Sequence, residues 1–479
     1  MKNQIDSFFL QEKNKIYDKY QRKVILNDSQ NLLVVAAAGS GKTKTIIGKI
    51  EYLIDILKYQ EKDILVLSFT NETVNNLKEK VSYNVDILTF HKLALRIIRN
   101  QNKHFGISND NLLKYIVDEF FLSYLFIPYQ NLILSYFKAS SINEIIINGK
   151  LDLFKLHIIS FIKKIKSNNY SLEKIKKVIK KIIDDSDKIF IILALKIYSI
   201  YEEELKSCRR IDFDDMIIYA KNIVRKNRFK RRYKYIIIDE YQDISKIRFD
   251  LIKEIINKTN AKLMCVGDDY QSIYGFSGSN LSLFIDFKKY FSNYQRIDIK
   301  NTYRNSYQLI NIAKKFILRN PYQLRKSIYA KFLLRHPVVL VYYTDLIKTY
   351  QNVLDYLYLE DKKDIMVLAR YNKDLDKIKK EDSIKYLTVH KSKGLEADNV
   401  ILLNMSDSYL GFPSKIKEID CLRMFDNFHE DIPYAEERRL FYVALTRCRE
   451  KIYILVPKKN PSMFIKEIKR YCVELIIEK

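Results

Sequence analysis

Residues 36–45, AAAGSGKTKT, constrain this chain more than any other stretch. The apolar run Leu32-Leu33-Val34-Val35 before them reads as a short buried strand. After them, Ile46, Ile47, Ile50, Leu53, Ile54 and Leu57 recur at helical spacing. Strand, glycine-bearing turn, Lys-Thr and helix together form the setting of a phosphate-binding loop. Gly39 and Gly41 let the backbone turn tightly, so that N–H groups and the helix N-terminus face an anion. Lys42 can reach the outer phosphates of a nucleotide, and the Thr43 hydroxyl can ligate magnesium. Ala36, Ala37, Ala38, Ser40 and Lys44 complete the loop, with Ala36 where the strict pattern has glycine. The competing reading is a glycine turn capping an ordinary helix. The expectation is an α/β chain with a nucleoside-triphosphate site.

At 479 residues the chain should divide into two to four domains. Its 47% hydrophobic content excludes a mostly disordered protein. The longest clean apolar stretch, 189–195, stops at Lys196, so no membrane span is expected. The opening MKNQIDSFFLQEKNK lacks the continuous apolar segment of a signal peptide. Five cysteines without a CxxC pair suit a reducing, cytoplasmic compartment, with no zinc site or disulfide framework. Eighty-four Lys and Arg against 58 Asp and Glu leave +26, which suits a polyanionic partner held with salt-sensitive affinity. A Lys-, Ile- and Asn-rich composition from an AT-rich genome produces the same excess. Only ten glycines occur, and seven (39, 41, 267, 275, 278, 394, 411) fall in motif-bearing segments.

Taken in order, Gln21 lies one helix upstream of the first strand, and its amide suits the edge of an adenine. Strands at 64–68 and 86–89 run into FTNETVNNLKEK and FHKLALRIIR. Phe69 with Thr70 and Asn71, and Phe90 with Thr89 and His91, stand at carboxyl strand ends, where open parallel sheets bind ligands. For either phenylalanine, core packing fits as well as ligand contact. Residues 95–205 show helical periodicity; within them SFIKKIKSNNYSLEKIKKVIKKII predicts an amphipathic helix pair with one basic face. That face is either solvated or in contact with a nucleic-acid backbone. RKNRFKRRYK (225–234) carries seven basic residues in ten and reads as a solvated approach to the next strand. The strand 235–238 then delivers Asp239 and Glu240. In a magnesium-nucleotide hydrolase one such carboxylate holds the metal and the other orients and deprotonates water. A strand at 263–266 leads to GDDYQSIYGFSGSN, where Gln271 is placed like a γ-phosphate sensor and Tyr274 and Phe276 suit stacking on a base.

On these motifs the chain resembles superfamily 1 DNA helicases of the UvrD/Rep/PcrA group. The ordered set is Gln21, AAAGSGKT, SFTN, TFH, DEYQD, GDDYQSIYGF, NTYR, TVHKSKGLE and EERRLFYVALTR. The resemblance implies two RecA-like parallel-sheet domains, the second without a phosphate loop, and an inserted all-helical subdomain. The expected limits are 1–92 with 206–292 for domain 1A, 93–205 for helical subdomain 1B, and 293–479 for domain 2A. Strands expected in 2A fall at 338–343, 365–368, 384–389, 400–403 and 452–456, with a final helix at about 461–479. By the resemblance, 2A presents Arg304 and Arg447 across a cleft to the γ-phosphate. Tyr303 would stack on adenine, Glu396 would meet the ribose, and Lys393-Gly394 would lie near the phosphates. Thr43 and Asp239 would hold Mg2+, Lys42 would bind phosphate and Glu240 would activate water. Single-stranded DNA would touch Phe69, Thr70, Asn71, Thr89, His91, Tyr274, Phe276 and His390.

The chain departs from that pattern in three places. Phe276 replaces the usual Trp, giving a smaller stacking face, and Ser277 replaces a common Arg. Only residues 373–387 stand where relatives insert accessory subdomain 2B, which contacts duplex, so 2B is expected to be absent. The implied activity is an ATP- and Mg2+-dependent helicase or translocase moving 3′ to 5′ on single-stranded DNA and at single-strand/duplex junctions. The rivals are a translocase that unwinds only with a protein partner compensating for 2B, and a non-catalytic nucleic-acid-binding subunit with a relic site. A relic should have lost Lys42, Glu240 or an arginine, and none is lost. A fused nuclease is not expected.

Overall fold

The computed structural model describes residues 8–9, 16–99, 106–109, 111–416, 423–425, 428 and 430–476. Most of the N-terminal segment, Cys421 and residues 477–479 lie outside the described residues.

Apolar runs too short for helices become the strands of two six-stranded, wholly parallel sheets. β1 (Asn31–Ala36), β2 (Ile64–Ser68) and β3 (Asp86–Thr89) form part of the first sheet. The ribbon of β4 (Gly106–Ile107) and β5 (Arg210–Ile211) closes the base of the helical insertion. β6 (Tyr235–Ile238), β7 (Lys262–Gly267) and β8 (Tyr294–Ile299) complete the first sheet, in the order β3-β2-β6-β7-β1-β8. Apolar clusters pack on both of its faces, as a parallel sheet requires.

β9 (Asn301–Thr302) pairs with β10 (Tyr329–Ala330) in the crossing to the second sheet. That sheet holds β11 (Val338–Tyr343), β12 (Ile365–Ala369), β13 (Lys385–Thr388), β14 (Ala397–Leu402), β15 (Cys448–Pro457) and β16 (Val473–Glu474). Its order is β13-β12-β14-β15-β11-β16, again between two apolar layers. Residues 370–384 join β12 to its neighbour β13 with a single short helix, Asn372–Leu375.

Three boundaries differ from expectation. β8 pairs with β1 along its whole length, so the first domain continues past 292 to 299. Helix Phe90–Arg99 buries Leu93, Ala94, Ile97 and Ile98 in the core of the first sheet, so the helical insertion begins nearer 106 than 93. At the carboxyl end the described helix is only Met463–Ile468, followed by a 3-10 turn and β16.

The helical insertion has its own core, built around helices Asn111–Leu122, Lys150–Ser167 and Asp185–Ser207. The expected basic face is not uniform. Lys166 is buried, and its ammonium meets Glu202 at 2.6 Å, Asp212 at 2.7 Å and Asp215 at 3.0 Å. Burial alone disfavours that charge, but the three carboxylates outweigh it and raise the Lys166 pKa. Lys166 therefore anchors the insertion to helix Phe213–Arg225 of the first domain. A second anchor comes from the chain after β14. Phe425 is fully buried in the insertion's core, 5.2 Å from the Phe161 ring and 5.5 Å from that of Tyr170. The Tyr170 hydroxyl donates to the Phe425 carbonyl at 2.8 Å. Among the described residues no helix is long and apolar enough to cross a membrane.

Candidate active site

The carboxyl edge of the first sheet carries the expected motifs in spatial order. Thr89 ends β3 and His91 follows it, Phe69 to Asn71 follow β2, Asp239 and Glu240 follow β6, and the phosphate loop follows β1. Gly39 and Gly41 both have positive φ, 68° and 78°, which L side chains rarely adopt. Gly39 is also a point of close approach. A Cβ there would lie 2.4 Å from the Arg304 Cβ, and its carbonyl accepts the Tyr303 N–H at 2.9 Å.

A cleft of about 620 Å³ brings together residues 37–44, Glu240, Gln271, Gly394, Arg304 and Arg447. Lys42 Nζ stands 3.5 Å from Glu240 Oε1, while Lys393 of the second domain approaches Glu240 Oε2 at 3.9 Å. Lys393 also pairs with Asp243 and donates to the Gln271 carbonyl at 2.7 Å. Burial opposes charge on Glu240, but Lys42 and Lys393 prevail and hold it well below the usual carboxylate range. Asp239 is pushed upward, by burial first and then by the Glu240 charge. Glu240 sits in the left-handed region at φ 51°. Its N–H donates to Asp239 Oδ1 at 2.9 Å and Gln242 Nε2 donates to its Oε2 at 2.5 Å. Those bonds hold a backbone geometry that costs roughly 1–2 kcal/mol in a non-glycine residue.

The two arginines differ in origin. Arg447 lies in the turn between helix Ala435–Leu445 and β15 of the second domain and is buried. Its four hydrogen bonds go to neutral oxygens: Val443, Leu395, Thr446 Oγ1 and, at 3.2 Å, Gln271 Oε1. Burial, then the nearby Arg304 charge, lowers its pKa, so an anion in the cleft would relieve a real cost. Arg304 stands at the join of the two domains, shortly before helix Tyr307–Ile317, which packs in the core of the second. It follows β9, whose Thr302 hydroxyl donates to the Ala38 carbonyl at 2.8 Å, and its guanidinium pairs with Glu396. Gln271 is fixed from both sides, its Nε2 donating to Asp268 Oδ2 at 2.6 Å.

The residues expected around a base and ribose lie at the margin of this cleft. Gln21 is buried. Its Nε2 donates to the Ser40 carbonyl at 3.1 Å and its Oε1 accepts the Asp18 N–H at 3.0 Å, so its amide braces the loop. The Tyr303 ring is 45% exposed and its hydroxyl donates to Asp18 at 2.7 Å, leaving a ring face open. Glu396 is shared by Arg304 and Arg449. The Lys44 ammonium turns to the Ile16 carbonyl at 2.8 Å. Thr43 and the Asp239–Glu240 pair are hard oxygen donors of the kind magnesium takes alongside phosphate oxygens, so the residues present fit that ion.

The aromatic residues form two groups. Tyr274, Phe276 and His390 meet across the two domains: Phe276 lies 5.5 Å from the His390 ring, and the Tyr274 hydroxyl donates to the His390 carbonyl at 3.3 Å. Phe276 is 53% exposed and presents a face to solvent. Phe69, Thr70, Asn71, Thr89 and His91 lie apart, over β2 and β3. Phe69 packs on Phe90 at 5.3 Å, Thr70 caps helix Asn71–Lys80, and Thr89 accepts the Lys92 N–H. The His91 ring lies 5.0 Å from that of Phe213, tilted by 56°, and its Nε2 is buried without a hydrogen-bond partner. Sequence reasoning missed Asp18, Gln242, Asp243 and Lys326. The first was readable as the start of an Asp-x-x-Gln capping box. Lys326, buried between Asp268 and Asp269 and bonded to both, sits in a stretch with no pattern to mark it.

Comparison with known families matches residues 17–292 to the UvrD/REP helicase N-terminal domain. Residues 219–456 match the viral superfamily 1 RNA helicase core domain. Among individual proteins, the chain is 29% identical over 509 residues to DNA helicase IV of Escherichia coli K12, covering 96% of this chain and 71% of that protein. It is 30% identical to a probable DNA helicase II homolog of Mycoplasma capricolum, covering 64% of this chain and 42% of that protein. It is also 30% identical to the ATP-dependent DNA helicase Rep of Buchnera aphidicola, covering 66% of this chain and 45% of that protein. The chain thus spans less than half the length of the latter two relatives.

Proposed function

Since this chain belongs to the UvrD/REP helicase family, we propose that it is an ATP-driven motor that moves 3′ to 5′ on single-stranded DNA and parts strands at single-strand/duplex junctions. The observation that carries the reading is one cleft in which the phosphate loop, Glu240 and Gln271 of the first domain meet Arg447 of the second. In it, Lys42 and the loop N–H groups bind the ATP phosphates. Glu240, kept ionised by its lysines, orients water and takes its proton. Arg304 and Arg447 neutralise charge developing on the γ-phosphoryl, a contribution worth roughly 10³–10⁵ in rate for an arginine finger. Thr43 and Asp239 would hold magnesium, which would supply further charge neutralisation. Gln271 touches Arg447 directly, so occupancy of the γ-phosphate position changes a contact between the two domains. The aromatic group Tyr274, Phe276 and His390 spans the same two domains and is where a base would stack.

The working unit in this reading is two RecA-like domains and one helical insertion, acting in an intracellular setting. The short link 370–384 favours a second reading: stepping without strand separation until a protein partner supplies what 2B would. One experiment addresses both. ATP hydrolysis with and without oligothymidylate is measured beside unwinding of 3′-tailed and 5′-tailed duplexes, for the wild type and Glu240→Gln. The expected result is stimulated hydrolysis, preference for the 3′ tail, and a variant that binds ATP but loses about 10²–10⁴ in turnover. Near-normal turnover in Glu240→Gln would remove the assigned base. Stimulation without unwinding selects the partner-dependent translocase.

A further inference from the structure

The basic run 225–234, expected to be a solvated approach to β6, is held in a more definite arrangement than solvation requires. From 228 to 234 exposure alternates. Arg228, Lys230, Arg232 and Lys234 are exposed, Phe229 and Arg231 are partly covered, and Tyr233 is buried. Period-two alternation is that of an extended chain, and it sets side chains of one row roughly 6.5–7 Å apart. The inward residues are fastened to the first domain. The Tyr233 hydroxyl donates to Asp86 at 2.8 Å and Arg231 pairs with the same carboxylate at 2.9 Å. Arg96 pairs with Asp86 from helix Phe90–Arg99 at 2.8 Å, so that carboxylate already has three partners. Lys234 reaches Asp63 at 2.8 Å, yet 65% of its side chain stays exposed. A row fixed from beneath has already lost its backbone freedom and gives up less on binding.

The row leads into the amino end of β6, whereas Lys42, Phe69, His91 and Asp239 follow carboxyl strand ends of the same sheet. A polyanion on the row is therefore a different segment from one lying over Phe69 and Phe276. We propose that Arg228, Lys230, Arg232 and Lys234 bind the phosphodiester backbone of a second nucleic-acid segment, the duplex ahead or the strand displaced, while the motor works on the first. This rests on the function proposed above. Phosphate recognition fits better than an acidic protein surface, because every outward position is a cation and none is apolar or aromatic.

The test uses Lys230→Ser/Arg232→Ser in the full chain, at exposed positions remote from the cleft. Binding of a short blunt duplex, and of short and long oligothymidylates, is followed by fluorescence anisotropy across a salt series, beside oligothymidylate-stimulated ATP hydrolysis. Loss of two phosphate contacts should lower the slope of log affinity against log salt by about 2 on the duplex. Hydrolysis at saturating short oligothymidylate should not change. A slope change confined to the long single strand supports the same row with the displaced strand as its ligand. Unchanged slopes on every probe would overturn the proposal, and so would a matching fall in stimulated hydrolysis, which would place the row on the main track. Absence of any stimulation in the wild type would count against the motor reading itself.

Discussion

Glu240 and Arg447 are both held on the cleft wall against a local cost, one of backbone and one of burial. Glu240 adopts a left-handed backbone and keeps its charge between two lysines, one from each domain. Arg447 is buried with only neutral acceptors around it, its planar fork satisfied by carbonyls on one side and Gln271 on the other. A lysine there would keep the charge and lose the fork, so it could not touch Gln271 and a phosphoryl oxygen together. Arg447→Lys is expected to lower ATP turnover by about 10³ with a much smaller change in ATP binding. Equal losses in binding and turnover would mean that Arg447 grips the ground state instead.

At the scale of elements, Phe425 joins the insertion to the second domain, and Lys166 joins it to the first. Truncating so enclosed a phenyl ring costs about 3–5 kcal/mol where the site cannot collapse. Phe425→Ala should therefore make the helical insertion sensitive to limited proteolysis at protease levels that leave the two sheets intact. Unaltered protection would show that Phe425 is a passenger. What could be read from sequence also divides by element. Central strands such as Tyr235–Ile238 are apolar throughout and were legible to the residue. β8 was not, because YQRIDI is an edge strand with polar residues on its open side, and overlooking it shifted the domain boundary. The site was legible where its chemistry is local, as in GSGKT and DEYQD. It was not legible where partners come from afar: Lys326 meets Asp268 and Asp269 from a featureless stretch, and Gln21 is bonded to Ser40 by tertiary packing.

For the molecule as a whole, two partly buried imidazoles link stability to pH. Burial, with Arg248 adding to it, pulls His91 down to about 4; burial, then Arg370 and Lys393, does the same to His390. Both are neutral when folded, while an unfolded histidine titrates near 6.5. Their stabilisation is complete above about pH 6.5 and is lost as pH falls toward 4, on the order of 3 kcal/mol each. Urea midpoints should thus drop between about pH 7 and about pH 5 in the wild type. The drop should shrink in His91→Gln/His390→Gln, and an identical drop in that variant would trace it to other groups.

The tie between Gly39 and the segment ending at Arg304 has a kinematic consequence. Thr302 and Tyr303 are bonded to the Ala38 and Gly39 carbonyls, three and four residues beyond the end of β8, the strand paired with β1. Arg304 is tied on both sides: its guanidinium pairs with Glu396 and reaches the Thr446 carbonyl, and the next residue, Asn305, donates to the Cys448 carbonyl at 2.6 Å. Arg447 belongs to the second domain, in the turn between helix Ala435–Leu445 and β15. A change in the angle between the two sheets would therefore bend the chain around Arg304, whereas Arg447 would move with the second sheet alone.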